Sequence, residues 1–247
     1  MRGWYALPEL PSEIIRSIRV GGCVACVSAA RLHGLAAPPG DALHVWVSPG
    51  SSRLRDPDDR FQPLDRTGSS GLVLHWDARP VHRSRLVVPL GVCLAQVAAC
   101  QPPDMTIATL DSAVHLGRLP IPALREEAAL WPMTAQSLLA EVDGRSESFV
   151  ESVVRVRLRR AGIRCEPQVQ VAGRFRLDLL VGNRLAIEVD GYETHHEREQ
   201  IESDRAREGA LVSLGFRVLR FTYRQVMYDW QTVLDIIRVC IERGEHL

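Results

Sequence analysis

Asp178 stands in the run Leu177-Asp178-Leu179, and Glu188 and Asp190 stand in Ala186-Ile187-Glu188-Val189-Asp190-Gly191. Both runs otherwise read as buried β-strands, where an acid is costly unless a cation or hydrogen bonds compensate it. Carboxylate oxygens are hard ligands, and three of them together suit Mg²⁺ or a similar ion. Odd positions are apolar (Leu177, Leu179, Val181, Leu185, Ile187, Val189), whereas even positions carry the acids. Side chains alternate along a strand, so one face is core and the other is acidic. Gly182-Asn183 marks a turn between the runs. A two-residue turn would send the acids to opposite faces. A turn with an odd number of residues sets Asp178 opposite Glu188, about 5 Å apart at Cβ, with Asp190 following on the same face. The competing reading pairs these acids with Arg174 and Arg176. Three acids on one face favour a shared cation.

The surrounding pattern supplies the elements that hold them. Ser148-Phe-Val-Glu151 reads as a capping box, followed by an apolar stripe at Val150, Val153, Val154, Leu158 and Ala161 and a stop at Gly162. Strands are expected at about 167–172, 174–181 and 185–190, then a helix over about 197–214, a strand over 216–221 and a last helix over about 229–243. Asp143-Gly144-Arg145-Ser146 is loop-like and places a boundary near 141–147, dividing the chain into 1–144 and 145–247. The first part reads as a smaller α+β domain. It has possible strands at 4–7, 44–47 and 72–76, helices over about 25–35, 92–99, 108–116 and 121–130, and a loop over 49–70.

Composition bounds the partners. The chain has 247 residues and a formal net charge of zero, so no global field attracts a polyanion, and binding to one needs local arginine clusters. All thirty basic residues are arginine. The six cysteines are scattered. Cys23-Val-Ala-Cys26 has metal-ligand spacing, but no second pair follows, so buried apolar roles are expected rather than a zinc site. His33, His44, His75, His82 and His115 are dispersed and are expected to be structural or exposed. No signal peptide or membrane span is evident, which points to a cytoplasmic protein with reduced thiols.

The strand order, with an acid in the second strand and Glu-x-Asp in the third, resembles the PD-(D/E)xK nuclease superfamily. Ile187-Glu-Val-Asp-Gly191, His195-His196, Asp204-Arg205 and Gly215-Phe-Arg-Val-Leu-Arg-Phe221 look more closely like the endonuclease-like family of domain of unknown function 559, related to very-short-patch-repair nucleases. The resemblance covers about 148–243. It implies a restriction-endonuclease-like αβββαβ fold with a mixed central sheet, and cleavage of phosphodiester bonds dependent on Mg²⁺ or Mn²⁺. Asp178 would be the central ligand and Glu188 the second acid. Asp190 stands where the superfamily usually has lysine, a departure the closer family shares. His195 is the candidate base or water positioner, its alternative being a role at a helix start. Glu151 matches an acid on the first helix that reaches the metal through water, its alternative being the cap alone. Arg205, Arg207 and Arg220 are candidates for phosphate contact, and Gln225 for orienting substrate or water. Arg155, Arg159 and Arg160 give the first helix a basic edge that could track a nucleic-acid backbone or simply be solvated.

Arg2-Gly-Trp-Tyr-Ala-Leu-Pro8 and Ser28-Ala-Ala-Arg-Leu-His-Gly34 look like the wing and following helix of abortive-infection-type antitoxins, lacking the recognition helix that would precede residue 1. The expected function is a metal-dependent endonuclease acting on nucleic acid, with DNA favoured, in a prokaryotic defence, repair or mobile-element setting. A regulatory protein partner or a homodimer is compatible with this. The alternatives are a non-catalytic DNA-binding or antitoxin-like regulator with a retired nuclease fold and, third, an RNA-cleaving toxin.

Overall fold

The computed structural model describes residues 9–65, 71–79, 81, 82, 84–190 and 198–247, and the side chains of all of these except 198–204. The chain divides into two units, Met1–Ala140 and Glu141–Leu247. The N-terminal unit is thus the longer one, which corrects the expectation of a smaller first domain.

In the N-terminal unit, α1 (Ser12–Val20) precedes β1 (Cys23–Val24), α2 (Cys26–Leu32), β2 (Leu43–Val47) and β3 (Leu72–Trp76). The strands lie in the order β1-β2-β3, with the first pair antiparallel and the second parallel. Val45 and Val47 point into a core with Val20, Leu43 and Leu54. The unit continues with α3 (Leu90–Cys100), α4 (Pro103–His115), α5 (Ile121–Ala128) and α6 (Met133–Gln136). Helix α4 starts earlier than the apolar pattern suggests, because Pro103 suits a first helical position. The amphipathic α1 was not anticipated. The expected strand at 4–7, which holds the antitoxin-like wing, lies outside the described residues.

The C-terminal unit runs α7 (Phe149–Arg160), β4 (Cys165–Val171), β5 (Phe175–Val181), β6 (Leu185–Asp190), α8 (Arg198–Ser213), β7 (Arg217–Thr222), α9 (Tyr223–Tyr228) and α10 (Trp230–Glu242). Its sheet is mixed: β4, β5 and β6 form an antiparallel meander, and β7 lies parallel to β6. A parallel neighbour needs a crossover, and α8 is that crossover. Leu177, Leu179, Val181, Leu185 and Ile187 are buried, as their alternation requires. Ser148 caps α7, its hydroxyl accepting the Glu151 N–H at 3.2 Å, a contact worth about 1 kcal/mol. Sequence periodicity misses α9, a short helix between β7 and α10 that begins with a full capping box from Thr222 and Gln225.

Candidate active site

The β5–β6 hairpin fixes the acids. Val181 pairs with Leu185, which leaves a three-residue turn, Gly182-Asn183-Arg184, and carries the register through Leu179 opposite Ile187. Asp178 is thereby level with Glu188. Gly182 takes φ 60, a left-handed turn that glycine adopts without penalty. One Asp178 oxygen accepts the Val189 N–H at 2.9 Å, which ties the acid to the neighbouring strand.

Glu188 is 5 % exposed and Glu151 6 %. Burial, then the Glu188 carboxylate, pushes the Asp178 carboxyl up to about 7, with Glu151 adding to the effect. Burial also raises Glu188, opposed by the guanidinium of Arg207 and then that of Arg220. Asp190 adds negative charge beside Glu188 and lies 3.9 Å from Arg220 Nε. The acids of α7, β5 and β6 thus share one electrostatic neighbourhood. It stabilises the proton on Asp178 when no cation is present.

Gln168 joins this group, and sequence reading did not single it out. On β4, Pro167 pairs with Leu179 and Val169 with Leu177, so Gln168 is level with Asp178 from the other side. Its φ is 56, a left-handed conformation that costs a non-glycine residue about 1–2 kcal/mol. Its Nε2 donates to Glu151 Oε2 at 2.7 Å, whereas its buried Oε1 has no partner. Backbone strain and an orphaned oxygen next to three acids fit a cation or its water, since such an oxygen is a hard ligand. Glutamine in a strand carries no sequence signal of this kind. Glu151 also accepts the Glu147 N–H at 3.0 Å. Only half of the expected capping box forms, because the Glu151 carboxylate turns toward Glu147 and Gln168.

The arginines divide. Arg207 reaches Glu188 at 3.0 Å and also donates to the Arg176 carbonyl. Arg176 itself pairs with Glu147 and the Arg174 guanidinium lies 4.4 Å from the centre of the Phe175 ring, so among the described contacts neither of the two arginines set against the acids takes them. Arg155 is fully buried and donates to the Glu141 carbonyl at 2.9 Å. This corrects its placement on a basic edge: it belongs to the core of its unit. Arg160 pairs with Glu141 at 2.9 Å, and Arg159 lies 3.8 Å from Asp143. Arg205 is exposed on α8. The Gln225 amide oxygen accepts the Thr222 N–H at 2.9 Å in the cap of α9, so its first duty is local. His195 and His196 lie outside the described residues.

A cavity of about 600 Å³ lies in the N-terminal unit, bordered by Cys23, Trp46, Asp77, Arg79 and His82, and none of Glu151, Asp178, Glu188 and Asp190 lines it. Two histidines of that unit are not dispersed, contrary to the sequence reading. His44 Nδ1 and His75 Nε2 face each other at 2.9 Å, because Trp46 pairs with His75 and His44 sits diagonally across on the same face.

No helix among the described residues is long and apolar enough to cross a membrane. No curated protein matches the chain. A solved structure, the catalytic domain of the homing endonuclease I-Bth0305I, aligns at 22 % identity and a TM-score of 0.33, covering 38 % of this chain and 94 % of that one. Residues 149–241 match the family model REase_MTES_1575, and over that span the chain is similar to restriction-endonuclease-like proteins.

Proposed function

We propose that this chain is a metal-dependent endonuclease that hydrolyses phosphodiester bonds in DNA, its nuclease domain spanning 145–247 and its N-terminal part serving regulation. The observation that carries the reading is the convergence of Asp178, Glu188, Glu151 and Gln168 beside Asp190, where burial and mutual repulsion leave Asp178 at about 7. Asp178, Glu188 and Gln168 Oε1 would hold Mg²⁺ or Mn²⁺, with Asp190 at the rim. Such an ion, when bound, supplies Lewis acidity and offsets charge at the phosphate. Glu151 holds Gln168 in place through its 2.7 Å hydrogen bond. Asp178 gives up its proton as the site loads. Arg207, poised on Glu188, and the exposed Arg205 are proposed to meet phosphate charge, and Arg220, 3.9 Å from Asp190, to steady that acid. His195 is proposed as the proton acceptor on the strength of the family resemblance. Arg159 and Arg160 contribute to backbone binding by exchanging their carboxylate partners for phosphate.

The test incubates plasmid, single-stranded DNA and RNA with Mg²⁺ or Mn²⁺, comparing wild type with Asp178→Ala. Metal-dependent DNA cleavage that the substitution abolishes is expected. Cleavage indifferent to Asp178 overturns the site. A second reading, a non-catalytic DNA-binding regulator, draws on the seat Arg207 takes on Glu188. DNA binding without cleavage under either metal favours it. Cleavage confined to RNA would instead favour a toxin.

A further inference from the structure

Four potential soft and borderline ligands meet in the N-terminal unit. One ligand atom from each of Cys26, His44, His75 and Cys100 lies within 4.8 Å of the other three. The imidazoles stack with ring centres 5.2 Å apart, and the Cys100 sulfur accepts the Gln101 Nε2–H at 3.2 Å. All the cysteines among the described residues are free thiols. Cys26 opens α2 with φ 46, an unusual conformation for a residue with a side chain. Its backbone is clamped: the N–H donates to Gln96 Oε1 at 3.1 Å, and the carbonyl accepts the Cys93 thiol at 3.2 Å. Gln96 is held in turn by Asp77 at 3.1 Å. Such support is what an oriented ligand needs.

We propose that Cys26, His44, His75 and Cys100 form a closed zinc site that fastens the start of α2 and the end of α3 to the β2–β3 pair. Two thiolates and two imidazoles match the tetrahedral preference of Zn²⁺, with bonds of about 2.3 Å to sulfur and 2.0–2.1 Å to nitrogen. Those bond lengths put tetrahedral ligand atoms about 3.3–3.8 Å apart, so separations of up to 4.8 Å close by about 1–1.5 Å on binding, whereas His44 Nδ1 and His75 Nε2, 2.9 Å apart, would part by about 0.4 Å if both are ligands. Four protein ligands leave no open position, which makes the site structural. Cys26 thereby gains a ligand role beyond the buried apolar one expected of it. The Cys23-Cys26 pair was the misleading cue, because the partners of Cys26 are separated from it by the whole strand pair. The proposal stands apart from the nuclease reading.

The test uses the full chain, purified under reducing conditions without chelator and dialysed against buffered zinc. The expected result is one zinc per chain, with an absorption-edge spectrum fitted by two sulfurs and two nitrogens, unchanged in Asp178→Ala. Loss of an outer-shell partner alone typically weakens a site about 10–100-fold, so Cys100→Ser and His75→Ala should each weaken zinc retention against a competing chelator about a hundredfold or more. If either variant fails to fold, the wild-type spectrum still decides. A chain that stays free of zinc overturns the proposal. So does zinc without sulfur neighbours, or zinc retained equally by both variants.

Discussion

Arg207 and Glu188 form an ion pair at 3.0 Å in which the acid side chain is 7 % exposed and the arginine 33 %. Arg207 thus supplies positive charge to a buried acid of the group that the proposed function assigns to a cation. Removing a partner from a buried pair leaves an uncompensated charge, so Arg207→Leu should destabilise the metal-free protein. The full effect of about 3–5 kcal/mol is reduced here to about 1–3 because water reaches the guanidinium. Saturating Mn²⁺ should restore most of that loss by taking over Glu188. Thermal melts of wild type and variant, with and without Mn²⁺, measure both. An equal deficit in the two conditions would mean that the ion does not bind Glu188.

Asp178 predicts a stability profile of definite sign. Its folded value is about 7, against an ordinary value of 3.8, so the native state holds the proton more tightly than the unfolded chain. Stability therefore falls as pH rises from about 4 to about 7, and levels off above that. Asp178→Asn keeps the Val189 hydrogen bond but cannot ionise. It should match wild type near pH 3.5 and exceed it above pH 7 by up to about 4 kcal/mol in the absence of metal. Mg²⁺ or Mn²⁺ should narrow the gap, because only wild type gains a ligand by losing a proton. Urea melts across pH 4–8 read this directly. A variant less stable than wild type at pH 8 without metal would show that Asp178 is satisfied as a carboxylate.

The parts legible in the sequence are those where periodicity and cost act together. The alternation at 177–190 demands one buried face, and Gly182-Asn183 admits a turn. Those two constraints give the hairpin and the level placement of Asp178 and Glu188. Helix starts at Ser148 and stops such as Gly215 were equally local. The less legible features depend on side chains from distant segments. Arg155 has the same composition signal as Arg159 and Arg160, yet only tertiary contact with the Glu141 carbonyl decides that it is buried. Gln168 owes its role to a left-handed backbone that no neighbour in sequence announces. The Cys26–His44–His75–Cys100 group draws its ligands from two strands and two helix ends, a spacing no short motif describes.

Gln168 couples strain to the site and can be dissected. Gln168→Gly relieves about 1–2 kcal/mol of backbone cost but gives up the bond to Glu151, worth a similar amount for a charged acceptor. The two offset, so equilibrium stability should change by no more than about 1 kcal/mol. Cleavage should nevertheless fall at least about tenfold, the usual toll of removing a group that orients a metal ligand or its water. Chemical denaturation paired with single-turnover cleavage separates these effects. Full activity in the glycine variant would assign the left-handed turn to the fold alone.

Gly182 is the position at which fold and site can be uncoupled least. Its φ of 60 penalises any side chain, and a Cβ there would collide with the carbonyl oxygen of His246. That oxygen also accepts the Asn183 N–H at 2.7 Å, so it cannot retreat without breaking the contact that anchors the hairpin turn to the C-terminal segment. Conformational cost of about 1–2 kcal/mol adds to the loss of that hydrogen bond, about 1 kcal/mol. Gly182→Ala should therefore destabilise the C-terminal unit by about 2–3 kcal/mol. Truncating His246 to alanine leaves its carbonyl in place, so His246→Ala should not rescue the variant. Deleting residues 246–247 should remove the collision and recover part of the loss relative to the same truncation in wild type. If Gly182→Ala loosens the turn, it also loosens the register that sets Asp178 level with Glu188, and Mn²⁺ should then protect the variant against melting less than it protects wild type. Equal protection would show that the register is held by the strands without help from the turn.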